Sequence, residues 1–279
     1  MNILIINIGF IGDSLFAASL AENCKKNGYD RVDLLIGFPQ TFDLLKLNPH
    51  IDNVYQSDVI GAYPGVDNLP AGCDTGVYDV IYPTAHSRFS EKFLDTYNRT
   101  LSLPNLDYSF NLYLPEMEFE MDHKKPKLAF HTDWDKRSFQ KNGAPRDSEF
   151  IIRNLTDYYD VYRVGANSHF EYDTDKSYKF LIECGFISKC DLFFGFPGGM
   201  HWVAAGTGIP TVTTSEHMMS HFKSTGDFKG STLGDFKRDF MLHASHHFPN
   251  QDHTLLEPEV GDLDIITYLI EKQKHFNGK

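Results

Sequence analysis

The residues of this chain that can do chemistry fall in two stretches far apart. One is Gly9-Phe10-Ile11-Gly12-Asp13-Ser14, directly after the apolar run Ile3 to Ile8. The other is Gly195-Phe196-Pro197-Gly198-Gly199-Met200-His201, directly after Leu192-Phe193-Phe194. Each reads as a strand, a glycine-bearing turn and a helical pattern. That order places backbone N–H groups and a helix N-terminus beyond the end of a parallel strand, where α/β folds bind phosphates and nucleotides. Asp13 adds a carboxylate at the first of these turns. A carboxylate there can take the proton of an attacking hydroxyl, or it can simply favour the helix macrodipole, which is the commoner use of such a residue.

Two nucleotide chemistries are disfavoured by what the turns lack. The first turn has no complete GxGxxG, and Leu34-Leu35-Ile36-Gly37 offers no acid for a dinucleotide ribose, which argues against a dehydrogenase. Neither turn ends in Gly-Lys-Ser/Thr, so a P-loop is absent as well.

The elements that must carry these turns repeat along the chain. Ile3 to Ile8 is apolar almost throughout, as a strand buried on both faces of a parallel sheet is. A helix from Ser14 to Lys26 stops at Gly28, and Val32 to Ile36 completes a β-α-β unit. Further expected elements are a short helix at Phe42 to Leu47, a strand at Val54-Tyr55, a strand at Tyr78 to Tyr82 and a helix at Phe89 to Leu101. The Gly-, Pro- and Asp-rich stretch Gly61 to Gly76 reads as a long loop. Polar, acidic sequence from Pro115 to Lys127 marks a boundary, which divides the chain into domains 1–120 and 121–279.

A second alternating series follows. It comprises strands at Lys127 to His131, Asp160 to Val164, Leu192 to Phe194 and Thr211 to Thr213. The helices among them are expected at Phe150 to Leu155, Tyr178 to Cys184 and His201 to Ala205, with a terminal helix at Leu263 to Lys274. The expected fold class is therefore α/β, with two Rossmann-like domains facing an interdomain cleft.

Composition narrows the function classes. The 279 residues are 41% hydrophobic and 23% charged, as in a soluble globular protein, with no apolar run long enough to span a membrane and no basic leader, so a cytoplasmic location is expected. A formal net charge of −12 opposes non-specific nucleic-acid binding. Cys24, Cys73, Cys184 and Cys190 form no CxxC pair and read as reduced structural thiols.

Taken together, the opening ILIINIGFIGDSLFAASL, the segment Leu47-Asn48-Pro49-His50-Ile51-Asp52 and the later DLFFGFPGGMHWVAAGTGIPTV resemble the heptosyltransferase-type glycosyltransferases of GT-B fold. The motifs stand in that family's order. The resemblance implies an inverting transfer of a sugar from a nucleotide-diphosphate donor to an acceptor hydroxyl, without a metal. It implies that Asp13 is the catalytic base, flanked by Gly12 and Ser14 in the cleft. Lys136 looks like the lysine that approaches the donor phosphates, and Gly198, Gly199, Met200 and His201 match the turn that holds the donor. It also implies a terminal helix that crosses back to the first domain. Where the family has an aspartate for the donor sugar, this chain has Phe196-Pro197, so the expected sugar differs from heptose.

Other residues have two readings. His86 and Arg88, after the strand Tyr78 to Tyr82, stand where parallel strands deliver side chains to a cleft, as acceptor contacts or as loop braces. His217, His221, His243, His246, His247 and His253 invite a metal reading, yet no acid or cysteine completes a ligand set. Phe193, Phe194, Trp202, Tyr158, Tyr159 and Tyr162 are assigned to packing. A glycan is the default acceptor. The alternatives are a modified base in DNA, an epimerase that needs no acceptor, and a non-catalytic nucleotide-binding protein of the same fold.

Overall fold

The computed structural model describes residues 1–7, 9, 11–57, 69–70, 72–84, 100–121, 124–131, 147–165, 176–195, 198–214, 251–256 and 260–276. Its first half is a sheet of β1 (Asn2–Asn7), β2 (Arg31–Ile36), β3 (Asn53–Gln56) and β4 (Val80–Pro83), with helices α1 (Ile11–Lys26) and α2 (Phe42–Leu45). The second half holds β5 (Lys127–His131), β6 (Asp160–Val164), β7 (Leu192–Gly195), β8 (Thr211–Thr214) and β9 (His253–Leu256). Its helices are α3 (Ser148–Leu155), α4 (Lys176–Ile187), α5 (Gly199–Thr207) and α6 (Asp262–Gln273).

Among the described residues every strand pairing is parallel, in the orders β3-β2-β1-β4 and β6-β5-β7-β8-β9. In the first sheet the order turns back at β1, between β2 and β4. In the second it turns back at β5, between β6 and β7. Such reversal points leave a crevice outside the carboxyl ends of the strands, and both turns singled out by the sequence open there. Buried strand residues such as Ile3, Ile5, Ala129 and Phe193 belong to one apolar cluster that also takes in α1, α4 and α5, so a single core joins the inner faces of both sheets.

Several elements differ in detail from the sequence reading. Helix α1 starts at Ile11 and α5 at Gly199, so both begin within the glycine turns. Strand β9 was not expected, because only Leu255 and Leu256 carry a strand-like apolar signal there. Among the described residues the buried face of the terminal helix packs on the second half. Ile265, Ile266 and Leu269 of α6 are buried against Leu128, Phe130, Leu192 and Val212, and the Tyr159 hydroxyl donates to the Leu269 carbonyl at 2.6 Å. Of the helix expected at Phe89 to Leu101, residues 85–99 lie outside the described residues, as does most of the loop Gly61 to Gly76.

A charged residue in the middle of β2 is explained by its partners. Asp33 is fully buried, paired with Arg31 at 2.8 Å and accepting from Asn53 Nδ2 at 3.0 Å and the Tyr78 hydroxyl at 2.5 Å. Burial and this carboxylate push the Tyr78 hydroxyl above its ordinary range. A buried charge is tolerated only when paired and hydrogen-bonded in this way.

The acidic stretch before β5 is more than a spacer. From Leu106 to Leu114 apolar residues take every second place, and after Pro115 they continue at Met117, Phe119 and Met121, all packed on the shared core. Asn23 of α1 and Asn27 just after that helix clip the start of this stretch. Asn23 Nδ2 donates to the Asp107 carbonyl at 3.0 Å and its Oδ1 accepts from Asp107 N at 2.6 Å. Asn27, one turn on, makes the same pair with Asn105 at 2.6 and 3.0 Å. Farther along, Leu112 N donates to the Gly206 carbonyl at 2.8 Å.

At Gly206 a β-carbon would stand 2.5 Å from Cγ of Leu112. Gly206→Ala is therefore expected to cost about 1–3 kcal/mol in urea unfolding with an unchanged m-value. Lys26 beside Asp107, helped by Ser109, holds that carboxyl down to about 2. A depressed folded value means that the stabilisation is complete above the unfolded value near 3.8 and is lost as pH falls toward about 2. Urea midpoints of wild type and Asp107→Asn should therefore converge across that acid window and stay apart above it.

Candidate functional site

The first turn is gathered on Asn7, the last residue of β1 and 6% exposed. Its Oδ1 accepts from Gly9 N at 3.1 Å, and its Nδ2 donates to Thr84 Oγ1 at 2.8 Å, just past the end of β4. The Thr84 hydroxyl donates in turn to the Ile6 carbonyl at 3.1 Å, while Gly37 N donates to the Asn7 carbonyl at 2.9 Å. One carboxamide residue thus ties together the ends of β1, β2 and β4 at the reversal point.

Asp13 stands in the first turn of α1, half-buried, with its side chain folded over Gly9. A β-carbon built on Gly9 would lie 2.6 Å from Cβ and 2.7 Å from Cγ of Asp13. Ser14 beside it is fully buried. The dipole role and the base role ask for the same position, so both remain open to Asp13.

The second turn meets the first directly. The Trp202 ring of α5 lies on Gly12, where a β-carbon would come within 2.9 Å of Cδ1. Reciprocally, Ile11 of α1 lies on Gly199, where a β-carbon would come within 2.8 Å of the Ile11 Cβ. The two helix N-termini therefore open side by side onto one cleft. Beyond the second sheet's reversal point, His131 ends β5 and Gly195 ends β7, with room between them only because Gly195 has no side chain: a β-carbon there would be 2.7 Å from Cβ of His131.

Within the second turn the side chains and the main chain have different roles. His201 is fully buried, its ring 4.3 Å from that of Trp202 and 4.7 Å from that of His253, and Met200 is also buried. The His253 ring shares a hydrogen bond of 2.8 Å with Thr213 Oγ1. What Gly198, Gly199, Met200 and His201 can present to an anion is therefore backbone, the N–H groups of a helix start that have no partner within the helix.

The Asn-Pro segment acts as a brace. Asn48 Oδ1 accepts from His50 N at 2.9 Å, and the Asp52 carboxylate accepts from Val32 N at 2.7 Å and pairs with Lys25 at 2.7 Å, which locks α1 to β2. Lys136, Phe196, His86 and Arg88 lie outside the described residues, as do His217, His221, His243, His246 and His247. Among the described residues no group of three His, Cys, Asp or Glu side chains is placed to hold a metal ion. No helix of the described residues is long and apolar enough to cross a membrane.

Of the aromatic residues assigned to packing, Phe193, Phe194, Tyr159 and Trp202 are buried, whereas Tyr158 is exposed at a turn after α3. Burial pushes the Cys24 and Cys190 thiols up to about 12 and Cys184 well above its usual range, in keeping with inert structural cysteines. Asn7 and Thr84 were missed by the sequence reading, since nothing in either residue's neighbourhood announces a partner that far along the chain.

No family profile matches the sequence, and no curated protein matches it. Solved structures do. The chain is similar to the E. coli ADP-heptose LPS heptosyltransferase II, with a TM-score of 0.61 and 12% identity over 99% of this chain and 100% of that one. It is also similar to the dodecameric iron-containing heptosyltransferase TibC in complex with ADP-D-beta-D-heptose, with a TM-score of 0.60 and 13% identity over 98% of this chain and 77% of that one. A third is a glycosyl transferase family 9 protein of Veillonella parvula, with a TM-score of 0.57 and 12% identity over 98% of this chain and 89% of that one. The fold is thus the heptosyltransferase-type GT-B fold, α/β with two Rossmann-like halves about a cleft, as the motif resemblance implied.

Because the Asp13 side chain already fills the space over Gly9, Gly9→Ala is expected to displace it and to cost about 1–3 kcal/mol in urea unfolding. An unchanged unfolding midpoint would mean that the turn has slack the geometry does not allow.

Proposed function

We propose that this protein is a glycosyltransferase that moves a sugar from a nucleotide-diphosphate donor to an acceptor hydroxyl, with inversion at the anomeric carbon. The observation that carries the reading is the direct contact of the two turns. Gly12 lies under Trp202 and Ile11 on Gly199, so the first turn of α1, which carries Asp13, and the N-terminus of α5 stand against each other. In this reading 1–120 is the acceptor half and 121–279 the donor half.

The chemistry then divides between the halves. Asp13 takes the proton of the acceptor hydroxyl as its oxygen attacks the anomeric carbon. The first turn of α5 and Lys136 oppose the charge that grows on the departing nucleoside diphosphate. With one base and direct displacement, the configuration inverts. Phe196-Pro197, where the family's aspartate stands, leaves the donor sugar distinct from heptose. A glycan hydroxyl is the default acceptor. The similar solved structures, an ADP-heptose LPS heptosyltransferase and a heptosyltransferase in complex with ADP-D-beta-D-heptose, support the donor class and the glycan default, and none of the fold's observations favours a DNA base over a glycan.

Nucleotide-sugars raise the melting temperature of a protein that binds them by mass action. A thermal screen should therefore find at least one stabilising nucleoside-diphosphate sugar. Asp13→Asn is expected to keep that stabilisation while turnover falls at least ~100-fold. A flat response to every nucleotide-sugar would overturn the donor assignment, and full turnover by Asp13→Asn would remove the base.

A further inference from the structure

We propose that Trp202, seated on Gly12, is a positioning residue that fixes the separation between the Asp13 turn and the first turn of α5, so that the ligand-free protein holds one cleft width. This rests on reading the two turns as one site, and adds how the distance between them is set.

Two halves of a chain joined by a linker are expected to swing relative to each other unless the surface between them is large and apolar. Here it is both. The Trp202 ring touches every party to that surface. It lies on Gly12 of α1, packs edge-on at 4.3 Å from the ring of Phe16, and stands 6.2 Å from Phe110 of the connecting segment. Phe16 and Phe110 are themselves stacked at 5.8 Å. Ile11 on Gly199 repeats the contact in the opposite sense.

The contacts around this point remove the remaining freedom. Asp43 N, at α2, donates to Ser177 Oγ of α4 at 2.9 Å, which pins the halves a second time. The connecting segment is clipped to α1 by Asn23 and Asn27 and to α5 at Gly206, and Met117 fills the space left by Gly185 of α4, where a β-carbon would lie 2.5 Å from its sulfur. A hinge motion would have to lift an indole ring off a glycine and open a void in a continuous core. Cores packed this closely do not deform gradually.

The test is a distance distribution between the halves by pulsed electron spin resonance. Labels go on Gln56→Cys at the edge of the first sheet and Asp157→Cys after α3, both exposed sites, in a Cys73→Ser background because the other three cysteines are buried. Wild type is expected to show one narrow peak without ligand. Trp202→Ala should broaden or shift it by more than ~2 Å, the size of a true rearrangement, and Trp202→Phe should restore it. If Trp202→Ala does not fold, Gly12→Ala, which pushes the ring off its seat, takes its place with the same expectation. A broad or two-peaked wild-type distribution would overturn the proposal, and so would a variant peak as narrow and as placed as that of wild type. The distance reads nothing of Asp13's chemistry, so the base assignment fails separately, by turnover of Asp13→Asn.

Discussion

The structure depends on the closeness with which α1 and α5 approach each other. Two helices can bring their first turns into contact at backbone distance only where side chains are missing, and here Gly12 and Gly199 each leave a seat for a large residue from the opposite helix. Because the exchange is reciprocal, neither helix can slide without unseating a ring or an isoleucine. The consequence is chemical as well as mechanical. The first turn of α1, which carries Asp13, and the first turn of α5 become neighbours, although they follow strands of different sheets.

The rest of the molecule supports that meeting point. Asn7 fixes the floor of the first turn by joining three strand ends, β4 through its side chain and β2 through its backbone carbonyl. The connecting segment fills the seam with alternating apolar residues and is held by paired amides of Asn23 and Asn27. These clips cost little, since each satisfies backbone groups that would otherwise be left without partners. Glu116, Glu118 and Glu120 of the same segment are exposed, on the side away from the apolar residues that fill the seam.

The two β-turn-α units and the alternation around them were legible because buried parallel strands and glycine-ended helices leave strong local signatures. Three kinds of fact were not. The direction in which a side chain points from a helix start, as with Met200 and His201, depends on what covers the helix. Pairings such as Asn7 with Thr84 depend on the order of strands in the sheet. Finally, Pro115 to Lys127 looked like a polar boundary because its charged residues dominate the composition, whereas Met117, Phe119 and Met121 alternate with the glutamates and pack inward. What the terminal helix covers was not legible for a similar reason: its buried stripe of Ile265, Ile266 and Leu269 completes the core of the second sheet. The two glycine-bearing turns at the strand ends were placed from sequence, while the glycine seats that bring them together required the structure.

The central claim is that both turns serve one ligand site. Backbone hydrogen exchange, with and without a nucleoside-diphosphate sugar that stabilises the protein, tests it directly. The account predicts that the same ligand slows exchange both at the start of α5 and in the turn from Gly9 to Asp13. Protection that spares both turns, or that falls on one while the other exchanges as in the free protein, would contradict it.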